Sequence, residues 1–451
     1  MQFNKKLFLL AMTFAGIYQG MAQTEAAKAI AHPAWSAQSN IYEVNLRQYS
    51  SAGTFTEFMK HMPRLRKMGV DILWFMPITP IGIEGRKMTS ADLGSYYAVR
   101  NYTAVNEEHG TLADFKKLVK QAHQLGFKVI TDWVANHSAP DNHWVKAHPD
   151  FYSKDSTGKF ISPFDWTDVY KLNYNNSELR DSMLAAMKFW VTETGIDGFR
   201  CDVAEEVPMD FWKKCIANLR KIKPVFMLAE GGKAELHEAG FDETYGWDMM
   251  GAMTDLYAGK ISVRKFDSSL NKSIASLPSN AYRMYFTSNH DENSWNGTEF
   301  EKYGDAYKTF AVFTQTIYQS VPLIYNGQEV PNKKRLKFFV KDPISWDKFD
   351  MAPFYKTMLS LRKKNPALAA NASYRKLTSS NDDAIFSYVR ENNGHKVAVI
   401  LNLSGKPQSF SIQDKALYGK PMNVFLYQNE TLNKNHVFNI EPWGFIVYDY
   451  K

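Results

Sequence analysis

The feature that most constrains the fold of this chain is a recurring unit, in which an amphipathic helix ends in glycine and a strongly apolar strand follows. Three copies are clear, with the glycine and its strand at Gly69 and 70–76, Gly126 and 127–134, and Gly195 and 196–203. Glycine can adopt the left-handed conformation that ends a helix at no steric cost. Nearly continuous apolar strands are typical of a parallel sheet that is covered by helices.

Further apolar stretches extend this series to eight strands. They lie at residues 41–45, 224–229, 243–247, 283–288 and 321–325. Eight alternating strand–helix units between residues 38 and 365 predict an α/β fold, the (β/α)8 TIM barrel. An open doubly wound sheet would show the same alternation, but the first strand lacks the glycine-rich phosphate loop that such nucleotide-binding sheets carry.

Two regions interrupt the alternation. Residues 138–176, after the third strand, form a long segment rich in Asp, Trp, Tyr and Pro, and this length predicts a functional loop or a small subdomain. After Pro366, short strands separated by turn residues predict an antiparallel β-sandwich, with strands at 384–389, 396–401, 408–412, 423–426 and 444–450. We therefore expect a catalytic barrel at 23–365 and a C-terminal β-sandwich domain at 366–451.

The first 22 residues have the pattern of a secretory signal peptide. Lys5 and Lys6 precede an apolar run at 7–17, and the small residues Gly20 and Ala22 flank a cleavage pattern. The run is too short for a bilayer core of about 30 Å, so we expect no membrane span. The pattern predicts a periplasmic or secreted protein; an uncleaved anchor is the alternative.

The net charge of +7 is spread along the chain without a basic block. A nucleic-acid-binding protein would cluster Lys and Arg on one face, so we expect no nucleic-acid partner. We expect a monomer.

Three of the predicted strands end in a carboxylate. Strand four ends with Asp202, strand five with Glu230 and strand seven with Asp291. Barrel enzymes carry their reactive groups at this end of the strands. Two carboxyl groups about 5–5.5 Å apart can cleave a glycoside, since one attacks the anomeric carbon while the other protonates the leaving oxygen. Adjacent strands lie about 4.8 Å apart, which makes Asp202 and Glu230 the predicted pair.

The residues around this pair suggest different charge states. Arg200 lies two positions before Asp202, and we expect its charge to keep that carboxylate ionised. The neighbours of Glu230 at 227–231 include no cation. We therefore expect burial to raise the pKa of Glu230 and keep it protonated as a general acid.

These strand ends resemble motifs of the α-amylase superfamily of retaining glycoside hydrolases. The matching stretches are 132–137 (DWVANH), 198–202 (GFRCD), Glu230 and 288–291 (SNHD), with weaker matches at 69–77 and 327–329. The resemblance extends over residues 36–451. Each motif alone is unspecific, but four in the right order at the predicted strand ends make a specific match.

The resemblance implies a role for each matching residue. Asp202 would be the nucleophile, Glu230 the general acid/base and Asp291 the stabiliser of the distorted sugar. Asp132 would support the site from beneath. The residues that would bind substrate or position Asp202 are Tyr97, His137, Arg200 and His290.

The resemblance also raises the question of a metal. Asn136 matches a residue that often ligates Ca²⁺ in the family, and Asp141, Asp165 and Asp168 could add some of the 6–8 oxygens that Ca²⁺ takes. Asn136 could equally serve only to hydrogen-bond the third loop.

One departure stands out from the family pattern. Glu205 and Glu206 stand where many members carry Lys and His beside the leaving group. We expect two acids there to change the local charge and the leaving-group preference.

The predicted activity is retaining hydrolysis of α-1,4-glucosidic bonds in starch or malto-oligosaccharides, through a covalent glycosyl-enzyme intermediate. The alternatives are an α-glucan transferase or isomerase on the same site, or a non-catalytic carbohydrate-binding homologue. Sequence motifs do not separate hydrolysis from transfer, since the two differ only in the access of water to the intermediate. Intact Asp202, Glu230 and Asp291 argue against the non-catalytic alternative.

Overall fold

The computed structural model describes residues 30–86 and 92–450, so the predicted signal peptide lies outside the described residues. Eight strands have the bounds β1 Ile41–Val44, β2 Ile72–Phe75, β3 Lys128–Trp133, β4 Gly198–Cys201, β5 Phe226–Ala229, β6 Glu243–Tyr245, β7 Tyr282–Met284 and β8 Leu323–Tyr325. They form one parallel sheet in the order β8-β1-β2-β3-β4-β5-β6-β7. The backbone N–H of Leu323 donates to the carbonyl of Tyr285 at 3.2 Å and closes the ring. The predicted (β/α)8 barrel is confirmed.

Helices connect the strands and cover the outside of the barrel. Their bounds are α1 Leu46–Tyr49, α2 Phe55–Met59, α3 Met62–Met68, α4 Leu112–Gln124, α5 His143–Ala147, α6 Ser177–Thr194, α7 Met209–Arg220, α8 Ala234–Glu238, α9 Trp247–Tyr257, α10 Val263–Ala275, α11 Glu299–Tyr303, α12 Tyr307–Thr316 and α13 Ala352–Lys364. Gly69, Gly126 and Gly195 have φ of 109°, 86° and 77°, which is the predicted left-handed conformation. None of the helices that the structure describes is long and apolar enough to cross a lipid bilayer.

Apolar side chains fill both faces of the barrel sheet. Ile72, Ile130 and Leu228 pack inside the ring, while Leu118 and Met187 belong to the larger core between the strands and the helices. Burial on both faces explains why these strands are apolar along most of their length rather than alternating.

The long segment after β3 folds back on the barrel mouth. His137–Ser138 pairs antiparallel with Tyr170–Lys171, which fixes both ends of the segment. Between them lie α5 and a 3₁₀ turn at Pro149–Phe151. The paired ends hold residues 165–169 at the rim of the barrel.

The C-terminal region is antiparallel, as predicted. Its strands are β9 Ser373–Leu377, β10 Ile385–Asn392, β11 His395–Asn402, β12 Gln408–Ser411, β13 Met422–Asn423, β14 Gln428–Asn429, β15 Val437–Ile440 and β16 Phe445–Tyr450. Six of them form a sheet in the order β9-β10-β11-β16-β13-β14, and β12 pairs with β15. Apolar side chains from the two groups, including Ile400 and Phe410, share one core.

Four details of this region were predicted incorrectly. Strands β9, β14 and β15 were missed: most residues of β9 are polar, β14 has only two residues, and β15 exposes the apolar Val437. The predicted strand at 423–426 ends after Asn423, whose side-chain oxygen accepts from the N–H of Phe425 at 3.3 Å and of Leu426 at 3.4 Å. Such a side-chain bond to nearby backbone favours a turn over a strand.

A buried carboxylate connects the ends of β7 and β8. Oε2 of Glu299 accepts from the Thr287 hydroxyl at 2.9 Å and from Nε2 of Gln328 at 2.5 Å. Its other oxygen has no hydrogen-bond partner among the described residues. Burial raises the pKa of Glu299 to about 7.

This shift predicts a pH-dependent stability. The folded protein holds the Glu299 proton up to about pH 7, whereas the ordinary pKa is 4.5. Protonation of Glu299 therefore contributes about 3 kcal/mol to the free energy of unfolding below about pH 4.5, and this contribution is lost by about pH 7. We expect Glu299→Gln to remove this dependence in urea unfolding between pH 4.5 and 8. Parallel pH profiles of the two proteins would contradict the assignment.

Candidate active site

A cavity of about 480 Å³ opens at the C-terminal ends of the barrel strands. It contains the three carboxylates that the sequence singled out, Asp202, Glu230 and Asp291. The remaining lining comes from the loops after β2, β3, β4, β7 and β8: Ser95, Tyr97, His137, Asp165, Trp166, Asp168, Val169, Val203, Trp295, Phe338 and Phe339. The strand ends and the loops therefore form one site.

The centre of the site is the fully buried guanidinium of Arg200, on β4. Its Nη1 donates to Asp132 at 2.9 Å and to Asp202 at 2.8 Å. Nη2 lies 3.0 Å from Oε2 of Glu230, and Nε donates to the Tyr245 hydroxyl at 3.0 Å. A single planar cation thus fixes the relative positions of two predicted catalytic carboxylates and a third beneath them.

This arrangement corrects the predicted surroundings of Glu230. No cation was expected near it, but Arg200 contacts Glu230 as well as Asp202, because β4 and β5 are adjacent. Arg200 therefore does not distinguish the two carboxylates. Burial raises the pKa of Asp202 well above its usual range, and the charge of Glu230 adds to this while Arg200 opposes it. The charge of Arg200 therefore does not outweigh burial at Asp202, contrary to the expectation that it keeps the pKa of this carboxylate low.

The third predicted carboxylate belongs to a second charged group. Oδ2 of Asp291 lies 3.2 Å from Nε2 of His290, and the Tyr97 hydroxyl lies 2.7 Å from the same nitrogen. Nδ1 of His290 contacts Glu43 on β1. Burial alone would lower the pKa of His290, but Asp291 and Glu43 outweigh it and raise the pKa well above its usual range. The pKa of Asp291 is lowered, because His290 outweighs the effect of burial.

Three supporting residues were not identified from the sequence. Glu43 holds His290, Tyr245 holds Arg200, and the indole N–H of Trp74 donates to Oδ2 of Asp132 at 3.3 Å. Glu43 carried a usable signal, since a glutamate inside an otherwise apolar strand needs a partner. Tyr245 and Trp74 look like ordinary core residues in the sequence.

Aromatic rings form two walls of the cavity. On one side Trp166 packs 5.2 Å from His137, and Phe164, which is 64% exposed, lies 4.8 Å from Trp166. On the other side Trp295, which is 54% exposed, lies 5.3 Å from Phe338. Such faces suit flat apolar ligand surfaces.

His137 and Asn136 occupy the end of the third strand. His137 lines the cavity, and burial lowers its pKa to about 3, so the imidazole is neutral. The amide nitrogen of Asn136 lies 3.3 Å from Nδ1 of His137.

The four candidate Ca²⁺ ligands all follow β3 in the chain. Asp141 accepts from the N–H of Ile83 at 3.0 Å, while Asp165 and Asp168 line the cavity. Among residues 30–86 and 92–450, no three His, Cys, Asp or Glu residues cluster as a metal site would require. Ca²⁺ binding at Asn136 stays a prediction.

A barrel with paired carboxylates at its mouth defines a class of glycosidase-like enzymes, and comparisons with known proteins agree. A family model for the catalytic domain of α-amylase matches residues 32–171 and 152–223. The solved α-amylase from Lactobacillus plantarum is 30% identical, with 92% of this chain and 99% of that chain covered and a TM-score of 0.82. The maltogenic α-amylase AmyB from Thermotoga neapolitana is 29% identical, with the same coverage and TM-score.

A curated relative is longer than this chain. The α-amylase MalA from Haloarcula japonica is 24% identical over 84% of this chain, which spans 57% of that protein's length. The chain belongs to the α-amylase superfamily, as the sequence motifs predicted, and it is a glycoside hydrolase.

The Arg200 cluster predicts a stability effect that a double variant can resolve. Arg200→Met leaves Asp132 buried without its cation, and we expect a loss of about 3–5 kcal/mol of unfolding free energy in urea at pH 7. Asp132→Asn in the same chain removes the unpaired charge, and we expect it to recover part of this loss. Additive effects of the two substitutions would contradict the proposed coupling.

Proposed function

We propose that the protein hydrolyses α-1,4-glucosidic bonds in starch or malto-oligosaccharides with retention of configuration. The observation that carries this proposal is the shared contact of Asp202 and Glu230 with one guanidinium, at the floor of one cavity. Two carboxyl groups held this way can act on the same glycosidic bond. The names of the relatives, which are α-amylases, support an α-glucan as the substrate.

The proposed reaction has two steps. Asp202 attacks the anomeric carbon, and the bond to the leaving oxygen breaks as Glu230 donates its proton to that oxygen. Glu230 then accepts a proton from water, and the resulting hydroxide displaces Asp202 from the anomeric carbon.

The other charged groups are suited to hold the sugar. Asp291 is ionised and one-third exposed, so its oxygens can accept hydrogen bonds from sugar hydroxyls. Neutral His137 lines the cavity and offers one donor and one acceptor. Both ring nitrogens of His290 already contact protein groups, so it orients Asp291 and Tyr97, and its own contact with the sugar stays a prediction. Tyr97 supplies an aromatic face beside them.

The first test is a substrate panel with a nucleophile variant. We expect the protein to cleave starch and maltoheptaose to shorter products, which chromatography would detect. Pullulan and sucrose serve as comparison substrates. We expect Asp202→Asn to lower kcat by about four orders of magnitude, because no covalent intermediate can form. Asp181→Asn, at an exposed site, is the matched control.

The products distinguish the alternatives. Products longer than the input oligosaccharide would indicate transfer rather than hydrolysis. Wild-type protein that is inert on every α-glucoside would contradict the proposed function. Substantial activity of Asp202→Asn would contradict only the nucleophile assignment.

The exposed indole of Trp295 predicts a binding effect. We expect Trp295→Ala to raise KM for maltoheptaose about fivefold with little change in kcat, because the ring would stack on a sugar away from the scissile bond. Tyr427→Ala removes an exposed aromatic ring from the C-terminal domain and should leave both constants unchanged. A fall in kcat alone would contradict the binding role.

We also propose that the enzyme acts in the periplasm or outside the cell. This rests on the signal-like pattern of Lys5, Lys6 and the apolar run at 7–17. The monomeric state stays a prediction.

A further inference from the structure

Glu205 and Glu206 each have a lysine partner. Oε2 of Glu205 lies 3.0 Å from Nζ of Lys233, and Oε2 of Glu206 lies 3.9 Å from Nζ of Lys171. The excess negative charge expected from the sequence is therefore balanced by lysines from two other segments. The two acids differ in what else they contact.

Glu205 also binds the backbone that follows Glu230. Its Oε1 accepts from the N–H of Gly232 at 2.6 Å and from the N–H of Lys233 at 3.1 Å. Burial opposes ionisation of Glu205, but these bonds and Lys233 outweigh it and lower its pKa. An ionised carboxylate is the stronger acceptor for two amides.

The glycine between Glu230 and these amides permits the close approach. Gly231 has a φ of 152°, and a Cβ at this position would lie 2.6 Å from Cγ and 2.7 Å from Oε1 of Glu205. Any side chain at Gly231 would displace the carboxylate.

The turn at residues 203–206, which carries Glu205, also contacts Glu230 directly. The N–H of Val203 donates to Oε2 of Glu230 at 2.8 Å, and the N–H of Ala204 donates to its carbonyl at 3.0 Å. Val203 has a φ of 35°, an unfavourable conformation for a β-branched residue. A strained turn that makes these contacts together with Glu205 is consistent with a functional constraint at Glu230.

We infer that Glu205 is a positioning residue for Glu230. By fixing the backbone at 231–233, it keeps the Glu230 carboxyl aimed at the leaving oxygen, so that the proton transfer coincides with bond cleavage. The inference rests on the proposed function, in which Glu230 is the general acid. Glu205 itself touches no reacting atom in this mechanism.

Two substrates with different leaving groups test the inference. Maltoheptaose needs a proton on its leaving oxygen, whereas the fluoride of α-maltosyl fluoride leaves without one. In the first turnover, before Glu230 acts as the base of the second step, we expect Glu205→Ala to slow cleavage of maltoheptaose about tenfold and release of fluoride by no more than about twofold. We expect Glu205→Gln to stay within about threefold of wild type on both substrates, because its amide oxygen can still accept both N–H groups.

Glu235→Ala, an exposed glutamate on the following helix, is the matched control and should match wild type. Equal losses on both substrates, or none with Glu205→Ala, would overturn the positioning role. A Glu205→Gln variant as impaired as Glu205→Ala would also overturn it. Wild-type protein inactive on both substrates would instead contradict the proposed function.

Discussion

The site depends on the buried charge of Arg200. A guanidinium without solvent is costly unless anions surround it, and Asp132, Asp202 and Glu230 supply them from three adjacent strands. The same contacts orient the two carboxylates proposed for catalysis. The ion pairs that stabilise buried Arg200 therefore also hold the carboxylates close together. The stability of the barrel core and the geometry of the site depend on the same contacts.

The rest of the mouth is held by loops that bind one another. Asn293, in the π-helical turn after Asp291, accepts from the N–H of Leu336 at 2.8 Å and donates to the carbonyl of Lys334 at 3.2 Å. Nε2 of Gln48, on α1 after β1, donates to the carbonyl of Val340 at 2.8 Å. These bonds tie the segment that carries Phe338 to two other strand ends. One aromatic wall of the cavity is thus fixed by polar contacts rather than by the barrel core.

Glu205 illustrates how a departure from a family pattern can be absorbed. Its charge would disturb the site if it faced the cavity alone. Instead, Lys233 balances it, and the adjacent amides use it as an acceptor. Glu205, which differs from the residue common at this position in the family, thereby helps to position Glu230.

The sequence by itself determined the barrel, its alternation of elements and the three strand-end carboxylates, because these depend on local periodicity, on glycines at helix ends and on the order of the motifs. Only the tertiary structure decided which groups meet. Arg200 lies two residues from Asp202 but contacts Glu230 as well, and Glu43 on β1 contacts His290, which follows β7, two strands away in the ring. The sequence did not predict strand β15, because a half-exposed strand lacks a strong apolar pattern. It did not predict the lysine partner of Glu205 either, because an ion pair between residues distant in sequence has no sequence pattern. Local interactions produce patterns among neighbouring residues that the sequence shows, whereas contacts between distant segments exist only once the chain has folded.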